Sequence, residues 1–528
     1  MKKYFALLLA LAMVLSMLSG CAKDETPDEP NAPSTPDGNQ AQAGTSNPLY
    51  APVVEAASYK KDVVVAASAG FTMLDPHGTY NVAHNENNIL VYETLVFWNS
   101  QTMEFEPKLA TEWKWKDDTT LWFKLRQGVK FHNGEEMKAS DVKFSLERCI
   151  EMGSTGGANI KQAKEFRVLN DYEIEIELQE INVDYLSFLS LPYGGIVSEK
   201  ACKADAAGGM HIGTGPWVYV DMVEADYLKL KRNENYWGEL PKTETLTIRN
   251  IPENSTRLIA LQNGEIDVCI GPNSTELDIV KSDPKLALYE VDRTSLTYFA
   301  FNTRQGPGAD HNFRMAIAHA IDEEELLIVG AGGYGKLTAV NWGWTTYGYD
   351  SSLKPIERDL DKAKEYLSKT EHRKLVITCT SSYKNVVETI QAQLKEVGIT
   401  VEVNEVQSAA QTAMSKFASA THEAMVYGLS WNEHGDDARR PYYKDSNTNK
   451  AIVEDQEIYD LIDKAKKEFD DTKRKEMYSK IQQINLEQCY YLPLYFSKGF
   501  VVMGQNVGGV RFEPNNVHDF SYVCVAEK

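Results

Sequence analysis

The sequence is poor in cysteine: seven in 528 residues, none of them in a C-x-x-C pair. Cys21, Cys149, Cys202, Cys269, Cys379, Cys489 and Cys524 lie at long, irregular spacings, which argues against a zinc or iron–sulfur site built from thiolates. Cys269 in "EIDVCIG" and Cys379 in "KLVITCT" stand in alternating, strand-like runs and read as small buried hydrophobes. One or two disulfides remain open, without a pairing. Positive charge is also scarce. The formal net charge is −21 and no basic stripe is present, so a nucleic-acid partner is not expected. Long apolar runs are missing too. The longest, residues 5–18, falls short of the roughly 20 residues that span a bilayer. No internal repeat is visible.

What is present begins with "MKKYFALLLALAMVLSMLSGC". Two lysines, a short apolar run and small residues before Cys21 follow the order of a secretory signal peptide, residues 1–20. The ending "LSGC" resembles a bacterial lipobox, which implies cleavage before Cys21 and lipidation of its thiol. Residues 22–48 contain no large aliphatic or aromatic side chain and are rich in Pro, Asp, Glu, Asn and Ser. Such a stretch cannot bury enough apolar surface to offset its ordering entropy, so residues 21–58 read as a lipidated cysteine and disordered linker. The expectation is an extracytoplasmic body on a leash. Its only membrane attachment would be the lipid anchor, on the outer surface of a single-membrane cell or in a periplasm.

The remainder is long enough for roughly two to four domains. With 43% apolar and 10% aromatic residues it can build sizeable cores, and its 27 tyrosines and nine tryptophans suit amphipathic pocket walls.

Three enzyme-like motifs fail on context. "GAGGYGKL", residues 330–337, satisfies G-x-G-x-x-G, but phosphate loops need a strand before the glycines and a helix after them. Here "FRMAIAHAIDEEELLIV" precedes them with Met315, Ile317, Ala318 and Ile321 at helical spacing, and "TAVNWGWTTYGY" after them is turn and loop. The glycines are expected to stop a helix. "THEAMV" starts like H-E-x-x-H but has Val426 at the second ligand position, and "EAMVYGL" alternates like a strand. "GLSWN" offers Ser430 near a nucleophile-elbow pattern, with Asn432 where the second glycine belongs.

Several stretches together carry a resemblance. "MLDPH", "VYETLVFWN", "EPKLATEWKWKDDTTLWFKLRQGVKFHNGEEMKASDVKFSLER", "GTGPWVY", "LKRNENYWG", "RLIALQNGEIDV", "YFAFNT", "FRMAIAHAID", "IQAQLKEVGITVEV" and "LPLYFSK" follow one another in the order seen in one family. They resemble the extracytoplasmic solute-binding proteins of ABC importers, family 5, the peptide/nickel-binding, dipeptide/oligopeptide-like lipoproteins. Within the third stretch Ser140 is a candidate cap for a helix beginning at Asp141. The tenth but one reads as a helix with Ile390, Leu394 and Val397 on one face, stopped by Gly398, then an alternating strand.

The resemblance implies an α/β, two-lobed periplasmic-binding-protein type II fold in its large cluster C form, with an extra domain inserted in lobe I. Lobe I would comprise residues 59–100, 213–297 and 491–528, the inserted domain 101–212, and lobe II 298–490. It also implies a monomer that closes on a small solute, usually a peptide, hands it to the transmembrane subunits of an ABC permease, and uses no cofactor and no metal.

The richest cluster is "SWNEHGDDARRP", residues 430–441. In the family, a stretch of the form G-W-x-x-D rising from a lobe II strand carries an acid that pairs with the α-ammonium of a bound peptide. A desolvated ammonium needs a carboxylate opposite it. Counting from Trp431, the matching position is His434, with Glu433 before it and Asp436 and Asp437 after it. A histidine there suits a carboxylate, a sugar or a chelated metal, and would make binding sensitive to pH near roughly 6.5. The plainer alternative is a surface charge cluster with Arg439 and Arg440 paired to Asp436 and Asp437.

Trp431, Glu433, His434 and Asp436 are therefore candidate ligand-binding residues. Trp342 and Trp344 in "NWGW" are candidates as exposed aromatics, His77 and Tyr80 as neighbours of the "LDP" turn, and Tyr495 as a residue near the return between lobes. The leading expectation is capture of an oligopeptide without chemistry. A metal chelate or oligosaccharide is the alternative ligand, and a lipid-anchored hydrolase is the remote one.

Overall fold

The computed structural model describes residues 49–68, 70–78, 81–432, 434–444 and 446–527. The expectations for the signal peptide, for Cys21 and most of the linker, for Tyr80 and for Glu433 lie outside the described residues.

Apolar runs between turn residues become the strands of one long sheet. From one edge they run Thr400–Glu405, Lys374–Cys379, Ala424–Ser430, Leu286–Phe301, Tyr491–Gly504, Val268–Ile270, Asp62–Ala67, Thr245–Asn250, Tyr227–Arg232 and Trp217–Val223. A short strand, Gly335–Lys336, pairs with Tyr491–Gly504 beside this path. Parallel neighbours need a crossover. The helix Lys384–Glu396 supplies one between Lys374–Cys379 and Thr400–Glu405, burying Val386, Val387, Ile390 and Leu394. It ends as expected at Gly398, whose φ of +89° lies in the left-handed region that glycine enters without strain.

Two long strands tie the lobes together. Residues 286–292 pair with 498–504 on the first-lobe side, and residues 296–300 pair with 491–496 on the second-lobe side. Between Asp292 and Leu296 the register breaks, so that Arg293, Thr294 and Ser295 stand across from a single residue, Ser497. A break of this kind bends the strand and leaves its ladder incomplete. On one side lies a core of Val63, Val65, Leu228, Leu246 and Val501; on the other lies one of Phe299, Phe301, Ile317, Ile377 and Leu494.

A separate four-stranded antiparallel sheet runs in the order Ala110–Asp117, Thr120–Leu125, Glu173–Leu178, Ala163–Asn170. Its inward residues Leu121, Phe123, Ile174 and Ile176 share a core with Val142, Leu146 and Cys149 of the helix Ala139–Glu151. That helix starts two residues before the expected position. Asp141, not Ser140, closes its first turn, accepting from the Lys138 amide at 2.9 Å and from the Glu199 amide at 3.0 Å. A carboxylate that satisfies two amides at once is the stronger cap.

The stretch before the glycines forms two helices, His311–Ala320 and Glu323–Ala331. Asp322 interrupts the run because its carboxylate caps the second helix through the Glu325 amide at 3.1 Å. The second helix then ends at Gly332 with φ +63°, a helix stop rather than a phosphate loop. Cys269 and Cys379 are buried on strands. All six cysteines among the described residues are free thiols, five of them buried, so the disulfides left open by the sequence do not form among them.

Candidate ligand-binding cleft

The loop at residues 430–441 leaves the end of strand Ala424–Ser430 and folds back on itself around Asp437. That carboxylate accepts from the Asn432 amide at 3.0 Å and from Asn432 Nδ2 at 2.9 Å, and Arg440 Nη1 lies 3.1 Å away. Thr294, inside the register break, donates its hydroxyl to the Trp431 carbonyl at 2.8 Å, so the loop is fastened to the strand that joins the lobes. The short helix Arg439–Tyr442 completes the turn.

Two cavities flank this loop where the lobes meet. The larger, about 920 Å³, has Asn81, Asn85, Asn159 and Gln162 on one side and Asn432, Asp436, Arg439 and Arg440 on the other. The smaller, about 510 Å³, is walled by Tyr92, Phe97, Trp98, Phe105, Trp113 and Tyr347. Leu191, His434, Asn515 and Val517 line both and form the partition between them.

Charge is concentrated at one point of the partition. Asp184, in the four-stranded unit, pairs with Arg474 on the second-lobe helix Asp471–Gln488 and accepts from the Gly435 amide at 3.3 Å. Both partners are almost fully buried. Arg474 also lies over the Tyr347 ring, 4.2 Å from its centroid. The next residue after Gly435 is Asp436, whose Oδ1 is closed to solvent and has no hydrogen-bond partner among the described residues. Burial raises the Asp436 carboxyl above the usual range, and the nearby Asp184 carboxylate raises it further, while His434, Arg439 and Lys466 pull the other way. His434 packs edge-on against Phe188 with centroids 5.2 Å apart, and its Nδ1 has no hydrogen-bond partner among the described residues.

Of the expected site residues that are described, the structure brings Trp431, His434 and Asp436 to the cavity walls and keeps Trp342, Trp344, His77 and Tyr495 off them. Trp431 lines the larger cavity but is fully buried, stacked on Trp342 with centroids 5.2 Å apart. Trp342 lies beneath the loop in a core with Tyr442, Tyr478 and Tyr491, and lines neither cavity. Trp344 lines neither cavity; its Nε1 donates to the Arg293 carbonyl at 3.0 Å beside the register break. Tyr495 is buried in the second-lobe core. His77 is also buried. Its Nε2 lies 3.0 Å from the Gly195 carbonyl and its Nδ1 2.8 Å from Arg148 Nη1, a bonding pattern in which the ring supports the fold.

The residues that sequence reasoning missed are Asn81, Asn85, Asp184 and Arg474. Arg474 lies in "DTKRKEMYSK", which reads as a solvated helix face, and Asp184 in an unremarkable loop. Neither carries a local signal.

Residues 104–451 match the model of the bacterial extracellular solute-binding proteins, family 5 Middle. Heme-binding protein A of Haemophilus influenzae is 26% identical over 487 residues, covering 84% of this chain and 89% of that protein. Di/tripeptide-binding protein 2 of Pseudomonas aeruginosa is 25% identical over 476 residues, covering 82% and 89%. The periplasmic binding protein DppA of Helicobacter pylori, solved in complex with the peptide STSA, superposes with a TM-score of 0.74 at 25% identity, covering 89% of this chain and 99% of that one. With two α/β lobes meeting at a cleft and a family match over most of its length, the chain belongs to the bacterial extracellular solute-binding proteins of family 5.

Proposed function

We propose that this protein is the solute-binding component of an ABC importer, that it captures a peptide in the larger cavity, and that it performs no chemistry on it. The observation that carries the reading is the wall of that cavity. It sets the Asp436 carboxylate on the same loop as Arg439 and Arg440 and faces them with amide side chains from the other lobe. Separated opposite charges along a polar trough match a zwitterion, and Asn81, Asn85, Asn159 and Gln162 are suited to main-chain hydrogen bonds. The volume falls within the roughly 300–1,000 Å³ usual for small-molecule sites. A relative named for di- and tripeptides and a neighbour solved with a tetrapeptide support the same ligand class.

In this reading the lobes divide as the sequence suggests, with residues 101–212 as the inserted domain, and move about the register break at residues 293–295. The monomeric body is tethered by a lipid on Cys21 and delivers its cargo to the permease. The test is calorimetric titration of the full chain with trialanine and with N-acetyl-trialanine. Micromolar or tighter binding of the free-amine peptide, weakened by acetylation and by Asp436→Asn, is expected. Silence across di- to pentapeptides would refute the ligand class.

A second ligand class has its own observation. His434 Nδ1 stands in the partition without a hydrogen-bond partner among the described residues, and one relative is named for heme. In this reading the metal is carried within a chelate, with His434 meeting it at the partition. Native mass spectrometry of the protein as purified separates the two classes by the bound mass.

A further inference from the structure

The contact between the four-stranded unit and the second lobe is a continuous seam. At its outer end Trp115 meets Phe469 edge-on, 5.5 Å between centroids. Next, Lys466 Nζ donates to Glu180 Oε1 at 3.1 Å, Lys467 lies 3.5 Å from Glu180 Oε2, and the Val183 amide donates to the Lys466 carbonyl at 3.0 Å. At its inner end is the Asp184–Arg474 pair, with the Gly435 amide on the same carboxylate. The backbone bond from Val183 and the bond to Gly435 fix where Asp184 must arrive when the lobes meet.

That position has an electrostatic consequence. The seam carries one carboxylate, Asp184, onto the Gly435 amide and so in beside another, Asp436, whose Oδ1 is closed to solvent and whose charge is therefore less screened than at an open surface. Arg474 is the ion-pair partner of Asp184. The cations nearest Asp436 are partly committed: Lys466 is held by Glu180, and Arg439 lies over the Tyr443 ring at 4.0 Å. Asp437 is occupied by Asn432 and Arg440. His434 also acts on Asp436 and pulls its carboxyl downward, while the Tyr443 and Tyr478 side chains beside it add no positive charge. Closing the seam therefore pulls Asp184 toward Arg474 and pushes it away from Asp436.

We infer that Asp184 is a specificity-determining residue that acts through Asp436: the seam closes fully when the solute brings a cationic group to Asp436, and is held back when the solute is neutral there. A ligand shifts a conformational equilibrium only by its differential affinity for the two states, and a cation at Asp436 supplies that difference by cancelling the repulsion that closure creates. The four-stranded unit thus reads the charge of the cargo from across the cleft. This inference rests on Asp436 as the anchor of the solute.

Two measurements on the full chain test it. In titrations, wild type is expected to favour trialanine over N-acetyl-trialanine, and Asp184→Asn to narrow that ratio by roughly tenfold, within the usual range of coupling between sites. Loss of folding or packing alone weakens both peptides and leaves the ratio intact. In small-angle scattering without peptide, Asp436→Asn removes the repulsion and is expected to give a smaller radius of gyration than wild type at neutral pH. An unchanged ratio in Asp184→Asn, or an Asp436→Asn variant no more compact than wild type, overturns the inference while leaving peptide capture intact. If wild type binds neither peptide, the proposed function and the inference fall together.

Discussion

Replacing Arg148 by methionine tests whether His77 belongs to the fold or to the ligand. Arg148, on the helix Ala139–Glu151, reaches the first lobe and holds Asp75 in a two-pronged pair, Nη1 to Oδ1 at 2.8 Å and Nη2 to Oδ2 at 2.7 Å. The same Nη1 lies 2.8 Å from His77 Nδ1, and His77 Nε2 lies 3.0 Å from the Gly195 carbonyl. A carbonyl only accepts, so Nε2 carries the proton and Nδ1 accepts from the guanidinium. Burial lowers the His77 pKa to about 4, with Arg148 adding to the fall and Asp75 and Gly195 opposing it. For Asp75, burial alone pushes the pKa up, but the hydrogen bonds and charge of Arg148 outweigh it and hold the group below the usual carboxylate value.

The side chains are 16% and 4% exposed, so methionine strands a buried carboxylate, a change that costs about 3–5 kcal/mol. The assay is amide hydrogen exchange in Ala139–Glu151, where that cost appears as a loss of protection of roughly two hundred- to five thousandfold. Without Arg148, burial becomes the dominant influence on Asp75, opposed by the His77 amide at 3.0 Å, so the loss grows as pH climbs above the unfolded carboxylate value and shrinks toward pH 4. Adding Asp75→Asn to Arg148→Met is expected to restore part of the protection. Less than a tenfold change in exchange, or a fall in ligand affinity with protection intact, would refute the structural role and return His77 to the ligand.

Trp342→Ala is expected to cost about 3–5 kcal/mol in urea unfolding, because the ring is fully buried between Trp431 and Tyr478. A loss below about 1 kcal/mol would place the ring at a wet surface instead. Stability should also fall in mild acid. Burial lowers His77 and His132 to about 4 and His518 to about 3, below the ordinary value of 6.5. The unfolded chain therefore takes up protons that the folded chain refuses. Each histidine contributes stability that is complete above pH 6.5 and lost as pH falls toward its folded value, up to about 3 kcal/mol for His132. Melting temperatures between pH 7 and pH 4.5 check this, with His132→Gln flattening the slope; a flat wild-type profile would contradict it.

The parts of the fold legible in the sequence were those decided within a few residues. Gly332 and Gly398 stop helices because a left-handed residue is a local demand, and "EAMVYGL" is a strand because alternation is a local pattern. Where two local rules competed, the reading slipped. Asp322 breaks an apolar run that continues helical spacing because its carboxylate caps the next helix through the Glu325 amide, and Asp141 displaces Ser140 because its carboxylate takes two amides at once.

The cleft was legible only as a loop of unusual chemistry. Its order of residues named His434 and Asp436 as candidates and left three readings open, from catalytic cluster to surface charge. What the sequence by itself determined was the family, through motifs in a fixed order, and with the family the two-lobed architecture. Only the tertiary structure decided that Trp342 and His77 are buried in the fold, and that Asp184 and Arg474, 290 positions apart, meet beside Asp436. The physical reason is that a charge's role depends on what stands opposite it and on how much water remains between them, and neither is written in the residues beside it.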